Sequence, residues 1–318
     1  MIELFLIFLN LFFISDSFEI ESSREINLND WSMGISEFND KLFVVKGLEK
    51  EILIFDNNFF IMQKIKINES KCDGHIHGID VNKDSIFLVM NNNNCILEIT
   101  KDGLTKNFFG SNGNYGDLLA SPQNVEIFDD NIFVSDSGND RIQVFDMKGN
   151  FLYKFGSSGS YDGEFNSPFD LEIFDDNIFV SDSGNDRIQV FDMKGNFLYK
   201  FGSSGSYDGE FNSPMGILIK NSEIFVADGQ NNRIQVFDMK GNFLYKFEKN
   251  FSTPHNIEKF HNYIVVLDTY NKKIKIFEKP SNFSIKNEKI LGNLVLIMLF
   301  VSSFVLFFIF KKKNIFKS

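Results

Sequence analysis

The chain is 318 residues long, 43% hydrophobic and 24% charged, an ordinary globular composition that excludes wholesale disorder. Its formal net charge of -11 repels a phosphate backbone, so no nucleic-acid partner is expected. Two cysteines without a CxxC spacing exclude a multi-cysteine zinc module, while 40 phenylalanines supply bulky, strand-favouring side chains.

In chain order, Leu4 to Ile14 (LFLIFLNLFFI) is an apolar run of 11 residues, too short to span a bilayer well, followed by Ser15-Asp16-Ser17. Residues 1–17 therefore read as a signal peptide cleaved after Ser17, although Glu3 stands where a basic residue is usual. An uncleaved anchor or a buried strand is the alternative. Phe18 to Leu28 then forms a strand-like segment that belongs to no repeat.

Six repeat units follow, starting near residues 31, 75, 121, 167, 213 and 253. Ser121–Asn166 and Ser167–Asn212 are both 46 residues long and differ only at Gln123/Phe169, Asn124/Asp170 and Val125/Leu171. The tract RIQVFDMKGNFLYKF starts at Arg141 and Arg187 and recurs at Arg233; the units from Trp31, His75 and Thr253 are weaker copies. In the second long copy, Leu171 to Phe174 is a short apolar-rich strand and Asp175-Asp176-Asn177 a turn into a second strand, Ile178 to Ser181. After the turn Asp182-Ser183-Gly184-Asn185, Arg187 to Asp192 alternates polar and apolar residues, and Lys194-Gly195-Asn196 closes a hairpin into Phe197 to Phe201. Four short strands per unit, repeated radially, make an all-β propeller.

The unit SP...IFVSDSGNDRIQVFDMKGNFLYKFG resembles the NHL repeat over roughly residues 31–279, and that resemblance implies a six-bladed β-propeller. Cytosolic proteins of that family often add RING and B-box modules, whose clustered cysteines are absent here. The sixth unit meets Pro280 before any fourth strand, so Phe18 to Leu28 is expected to complete that blade and leave no open edge, with Asn282 to Lys286 as the competing strand. The domain thus runs over residues 18–286.

Several residues are candidates for chemistry. In DSGNDR, Asp136, Asp182 and Asp228 with Arg141, Arg187 and Arg233 read as turn and blade-fixing residues that repeat because the fold repeats. His77 and His255 share a repeat position with Met33, Gln123, Phe169 and Met215, facing the channel if the first strand is innermost. This is similar to the propeller lyases that act on peptidyl-hydroxyglycine, in which three channel histidines hold zinc; here the third place is Phe169, so no cofactor is expected and a zinc site at His77 and His255 would be degenerate. Cys72 and Cys95 both lie in the second unit and are expected to be bridged in an oxidising compartment. Asn68, Asn250 and Asn282 head glycosylation sequons. The loops of type GSSGSYDGEFNSP put Tyr115, Tyr161 and Tyr207 at equivalent places beside Asp162, Glu164, Asp208 and Glu210, either as a recognition surface or as packing between blades.

Finally, Ile290 to Phe310 gives 21 residues without a charge, about 31 Å of helix, enough to cross a bilayer. Lys311-Lys312-Lys313 follows, which favours a cytoplasmic tail at 311–318 and an exoplasmic propeller, a type I topology. The whole reads as a membrane-tethered binding or scaffolding propeller for a protein, peptide or glycan, with a zinc-dependent lyase as the alternative.

Overall fold

The computed structural model describes residues 24–247 and 250–278. Among them are 24 strands arranged as six four-stranded sheets. Sheets one to five are each built from consecutive strands and serve as blades 1–5 in chain order; the sixth is completed from the other end of the chain. The innermost strands are Ile35–Phe38, Ile76–Val81, Val125–Phe128, Pro168–Phe174, Pro214–Lys220 and Pro254–Phe260, each in contact with its neighbours around a ring. Residues 1–23, which include the expected signal peptide, the competing strand Asn282 to Lys286, the apolar run 290–310 and the expected tail 311–318 lie outside the described residues. Among the described residues no helix is long and apolar enough to cross a membrane.

Blade 4 shows why these residues make these elements. Its first turn places Asp175 and Asp176 at φ 51° and 58°, the pair of left-handed residues that a two-residue hairpin requires and that aspartate tolerates. Its last hairpin is closed by the Asp192 carboxylate, whose Oδ1 accepts from Lys194 N and Asn196 N at 2.9 Å, with Gly195 at φ 81°. The innermost strand is longer than the sequence suggests: it begins at Pro168 rather than Leu171, and the register slips between those two residues. That bulge interrupts the period-2 pattern from which Leu171 was read as the start.

The core is not central but lies in six layers between neighbouring blades. Between blades 4 and 5, for example, Ile188 and Val190 pack with Phe211, Ile217 and Phe237, all at most 2% exposed. Interior phenylalanines seal these layers in a repeated way, Phe165 against Phe191 at 5.3 Å and Phe211 against Phe237 at 5.4 Å.

The ring closes in the sixth blade, where Arg24–Asn27 lies outermost, antiparallel to Lys273–Glu278, with Arg24 opposite Ile276 and Asn27 opposite Lys273. Leu28, 4% exposed, follows into the core between blades 6 and 1. The antiparallel order divides the connections between two faces. The loops entering each blade and the turns between second and third strands share one face, tied together by bonds such as Asn185 Nδ2 to Gly159 O at 2.9 Å. This is the loop face. The remaining tight turns, and the points where the chain enters at Arg24 and leaves at Glu278, lie on the opposite, turn face.

Candidate functional site: loop face and channel

In blades 3, 4 and 5 the entry loop is held from below by one buried arrangement. Arg187 Nε meets Asp182 Oδ2 at 2.7 Å, while its terminal nitrogens donate to Ser160 O, Tyr161 O and Glu164 O at 2.7–2.9 Å. Gln189 adds a bond to Glu164 O and accepts from Gly163 N. Arg233 with Asp228 repeats this in blade 5, and Arg141 with Asp136 in blade 3. The DSGNDR residues are therefore spent on bracing loops: the guanidinium is held between a buried carboxylate and three backbone carbonyls.

The braced loops present their tyrosines outward. Tyr115 is 83% exposed, and Tyr161 and Tyr207 are each 79% exposed, whereas the loop phenylalanines Phe165 and Phe211 are fully buried. Packing thus claims the phenylalanines and leaves the tyrosines free of it. Asp162 and Asp208 pair with Lys200 and Lys246 at 2.5 and 2.9 Å beside the tyrosines. Glu164 and Glu210 are different: each carboxylate turns back to accept from its own loop, at Tyr161 N and Tyr207 N, both 3.0 Å. They shape the loop rather than face outward.

The second half of the site is the channel mouth on the same face. His77 Nδ1 lies 2.9 Å from Gln123 Oε1, and the His255 ring packs edge-on against Phe169 at 4.8 Å. His255 is buried and its Nδ1 has no hydrogen-bond partner. Burial lowers the pKa of both imidazoles, that of His255 to about 3 with a further push from His77, so both are neutral at physiological pH. Phe169 stands where a third ligand would be needed, His75 is exposed on the loop face, and His261 sits in a turn on the opposite face, 3.8 Å from Asp40. Among the described residues no group of three or more potential ligands is placed to hold a metal.

Deeper in the channel lies a feature that sequence reasoning missed. Three residues beyond the histidine position the inner strands carry Ser36, Asp80, Glu126, Glu172, Leu218 and Glu258, and Asp170 joins their carboxylates. Asp80 bonds Ser36 Oγ, Val81 N and Ile127 N, and Asp170 bonds Asn124 Nδ2, Leu171 N and Ile217 N. Each carboxylate thereby caps the free edge of the next blade's inner strand, a row of N–H groups that the fold leaves without a ladder partner. Burial raises these acids, Asp80 to about 6, Asp170 to about 7 and Glu172 to about 8. Glu126 and Glu258 are pushed well above the usual carboxylate range by burial and then by the neighbouring carboxylates.

Cys72 and Cys95 are joined by a disulfide with Cα atoms 6.0 Å apart, and Cys95 begins a strand. The sequon residues Asn68 and Asn250 are both exposed, on the entry loops of blades 2 and 6.

Comparison with known proteins places this geometry. Residues 116–173 and 165–253 match a family model described as a 6-bladed beta-propeller. No curated protein matches the sequence. Among solved structures, a streptogramin B lyase is 16% identical with a TM-score of 0.58, covering 81% of this chain and 87% of its own. Virginiamycin B lyase from Staphylococcus aureus is 13% identical with a TM-score of 0.59, covering 81% and 99%. A gluconolactonase from Xanthomonas campestris is 15% identical with a TM-score of 0.63, covering 81% and 90%. At such identities the likeness is one of fold.

Proposed function

We propose that this chain is a membrane-tethered, exoplasmic binding and scaffolding propeller of NHL type whose loop face recognises a protein, peptide or glycan. In this reading residues 1–17 are a signal peptide, Asn68, Asn250 and Asn282 carry glycans, and Ile290 to Phe310 anchors the chain with residues 311–318 in the cytoplasm. The observation that carries the reading is the exposure of Tyr115, Tyr161 and Tyr207 on consecutive loops that buried arginines hold in place. Rigid aromatic groups on a preformed loop lose little freedom on binding, which is what recognition surfaces require. The test is binding of the purified chain to basic-peptide and glycan arrays. A variant with all three tyrosines changed to serine should lose about tenfold or more of its array affinity at unchanged melting temperature. Binding that survives the triple change would refute the tyrosine face.

A zinc-dependent lyase is the second reading, favoured by two neutral imidazoles at the channel mouth. Stoichiometric zinc in the purified chain, lost on His77→Ala or His255→Ala, would put that reading in place of the first.

A further inference from the structure

The turn face carries an unexplained apolar patch, and the repeat itself supplies the control. The last hairpin of blades 3, 4 and 5 uses Asn150, Asn196 and Asn242, whose amides bond the turn aspartates Asp146, Asp192 and Asp238 at 2.8 Å. At the same place blade 1 has Phe60 and blade 2 has Leu104, each 65% exposed. Blade 1 keeps the backbone half of the turn, Phe60 N to Asp56 Oδ1 at 2.8 Å, so the turn has no need of the ring. Ile61 and Met62, 47% and 59% exposed, flank it at places where blades 3, 4 and 5 also expose Leu152, Leu198 and Leu244, so Phe60 and Leu104 are what set this sector apart. Large apolar side chains exposed on one face of neighbouring blades mark an interaction site.

Its position identifies the occupant. Arg24, where the described chain begins, donates from Nη1 to Asn58 O at 2.6 Å and lies 5.7 Å over the Phe60 ring, so the patch adjoins the corner at which both chain ends leave blade 6. Beyond Glu278 only the 11 residues 279–289 precede the apolar run at Ile290, a reach of at most about 40 Å when extended. Charge is arranged in the same sense. The first turns of blades 3 and 4 expose Asp129, Asp130, Asp175 and Asp176, whereas those of blades 1 and 2 mix Asp40 and Asp84 with Lys41 and Lys83. An anionic surface would repel the first sector and tolerate the second.

We infer that Phe60, Ile61, Met62 and Leu104, with Arg24 beside them, dock on the lipid surface next to the anchor. The propeller then leans on the bilayer through blades 1 and 2, and its tyrosines face outward. This rests on the anchor reading above, and one experiment separates the two. The full chain is reconstituted in vesicles of zwitterionic and anionic phospholipids with brominated acyl chains. The native Trp31, the single tryptophan, reports the loop face. Trp31→Phe combined with Phe60→Trp reports the patch, and Trp31→Phe with Leu104→Trp is a second reporter should the first misfold.

Retention of the chain through carbonate extraction, with roughly half the emission lost at position 60 or 104 and little at position 31, is the expected result for side chains seated at the headgroup boundary. Retention without quenching at the patch overturns the docking and leaves the anchor standing. A blue-shifted but unquenched reporter, the sign of a second protein copy over the patch, overturns it too. Extraction by carbonate removes the anchor and the docking together.

Discussion

Blades 3, 4 and 5 differ from blades 6, 1 and 2 at one equivalent corner, where the second strand meets the third and the entry loop passes overhead. In the first group the corner is an Asp–Arg pair each time. Blade 1 exchanges the charges, with Lys46 in the aspartate's place, 2.6 Å from Glu49 and 3.9 Å from Glu51. In blade 6, Lys275 meets Asp268 at 2.9 Å and also bonds Asn250 O in the entry loop. Blade 2 has no charge there at all: Met90 faces Cys95, and the disulfide from Cys95 to Cys72 ties the strand to its loop. The position demands that the third strand be fastened to the loop, while the chemistry of the fastening is free. The Asp–Arg version is the one that the two near-identical copies share.

The sharpest way to break the contrast is to remove the strand that lets the irregular group close the ring. Deleting residues 18–28 strips the ladder beside Lys273–Glu278 and the buried Leu28, a loss on the order of 5 kcal/mol from backbone bonds and apolar burial together. Denaturant unfolding should show it; an unchanged midpoint would mean that another segment closes the ring.

Next comes the staple. Asp182→Ala leaves Arg187 buried without its partner and should cost about 3–5 kcal/mol in denaturant unfolding. Replacing Cys72 and Cys95 by serine, in the blade without a charge pair, should cost about 2–4 kcal/mol. If the cysteine pair proved silent while Asp182→Ala did not, the equivalence of the two fastenings would fail.

The smallest effect concerns the channel. Its carboxylates hold protons more tightly folded than unfolded, so their stabilisation is full below about pH 4 and fades as pH rises through about 6 to 8. The two neutral histidines, His255 buried and His77 half-buried, act in the opposite sense, with a contribution lost as pH falls below about 6.5. Between pH 6.5 and 8 the acids outweigh Lys101, the one cation among the described residues that burial lowers to about 8 and whose effect runs the other way, and the melting temperature should fall with rising pH. Glu126→Gln should raise it by about 2–4 °C at pH 8, and no change there would assign the slope to other groups.

What repeats was legible in the sequence. The 46-residue period and the third copy of RIQVFDMKGNFLYKF indicate blade number and strand order, because a fixed spacing can be read without knowing any contact. What pairs across blades was not. Ser36 and Leu218 interrupt the acidic series Asp80, Glu126, Glu172 and Glu258, and the bulge after Pro168 breaks the alternation that would have put Glu172 on the channel side. The three differences between the long copies fall where neighbouring copies touch: Asn124 donates to Asp170, a contact that two identical aspartates would turn into repulsion. Exposure was half legible: Phe165 was the better core candidate and is buried, but whether Tyr161 also packs between blades was open until the turn sent it outward.

The closing strand also determines how the molecule carries a load. Any pull on the chain beyond Glu278 enters the sixth blade along the axis of Lys273–Glu278, a strand flanked by Tyr263–Asp268 on one side and Arg24–Asn27 on the other. Force along that axis shears two ladders at once, so their bonds must fail together rather than open one after another from an edge. Without Arg24–Asn27 the same pull would act on an edge strand held by a single ladder. The N-terminal strand thus gives the ring mechanical strength at the point where a tether would tug on it.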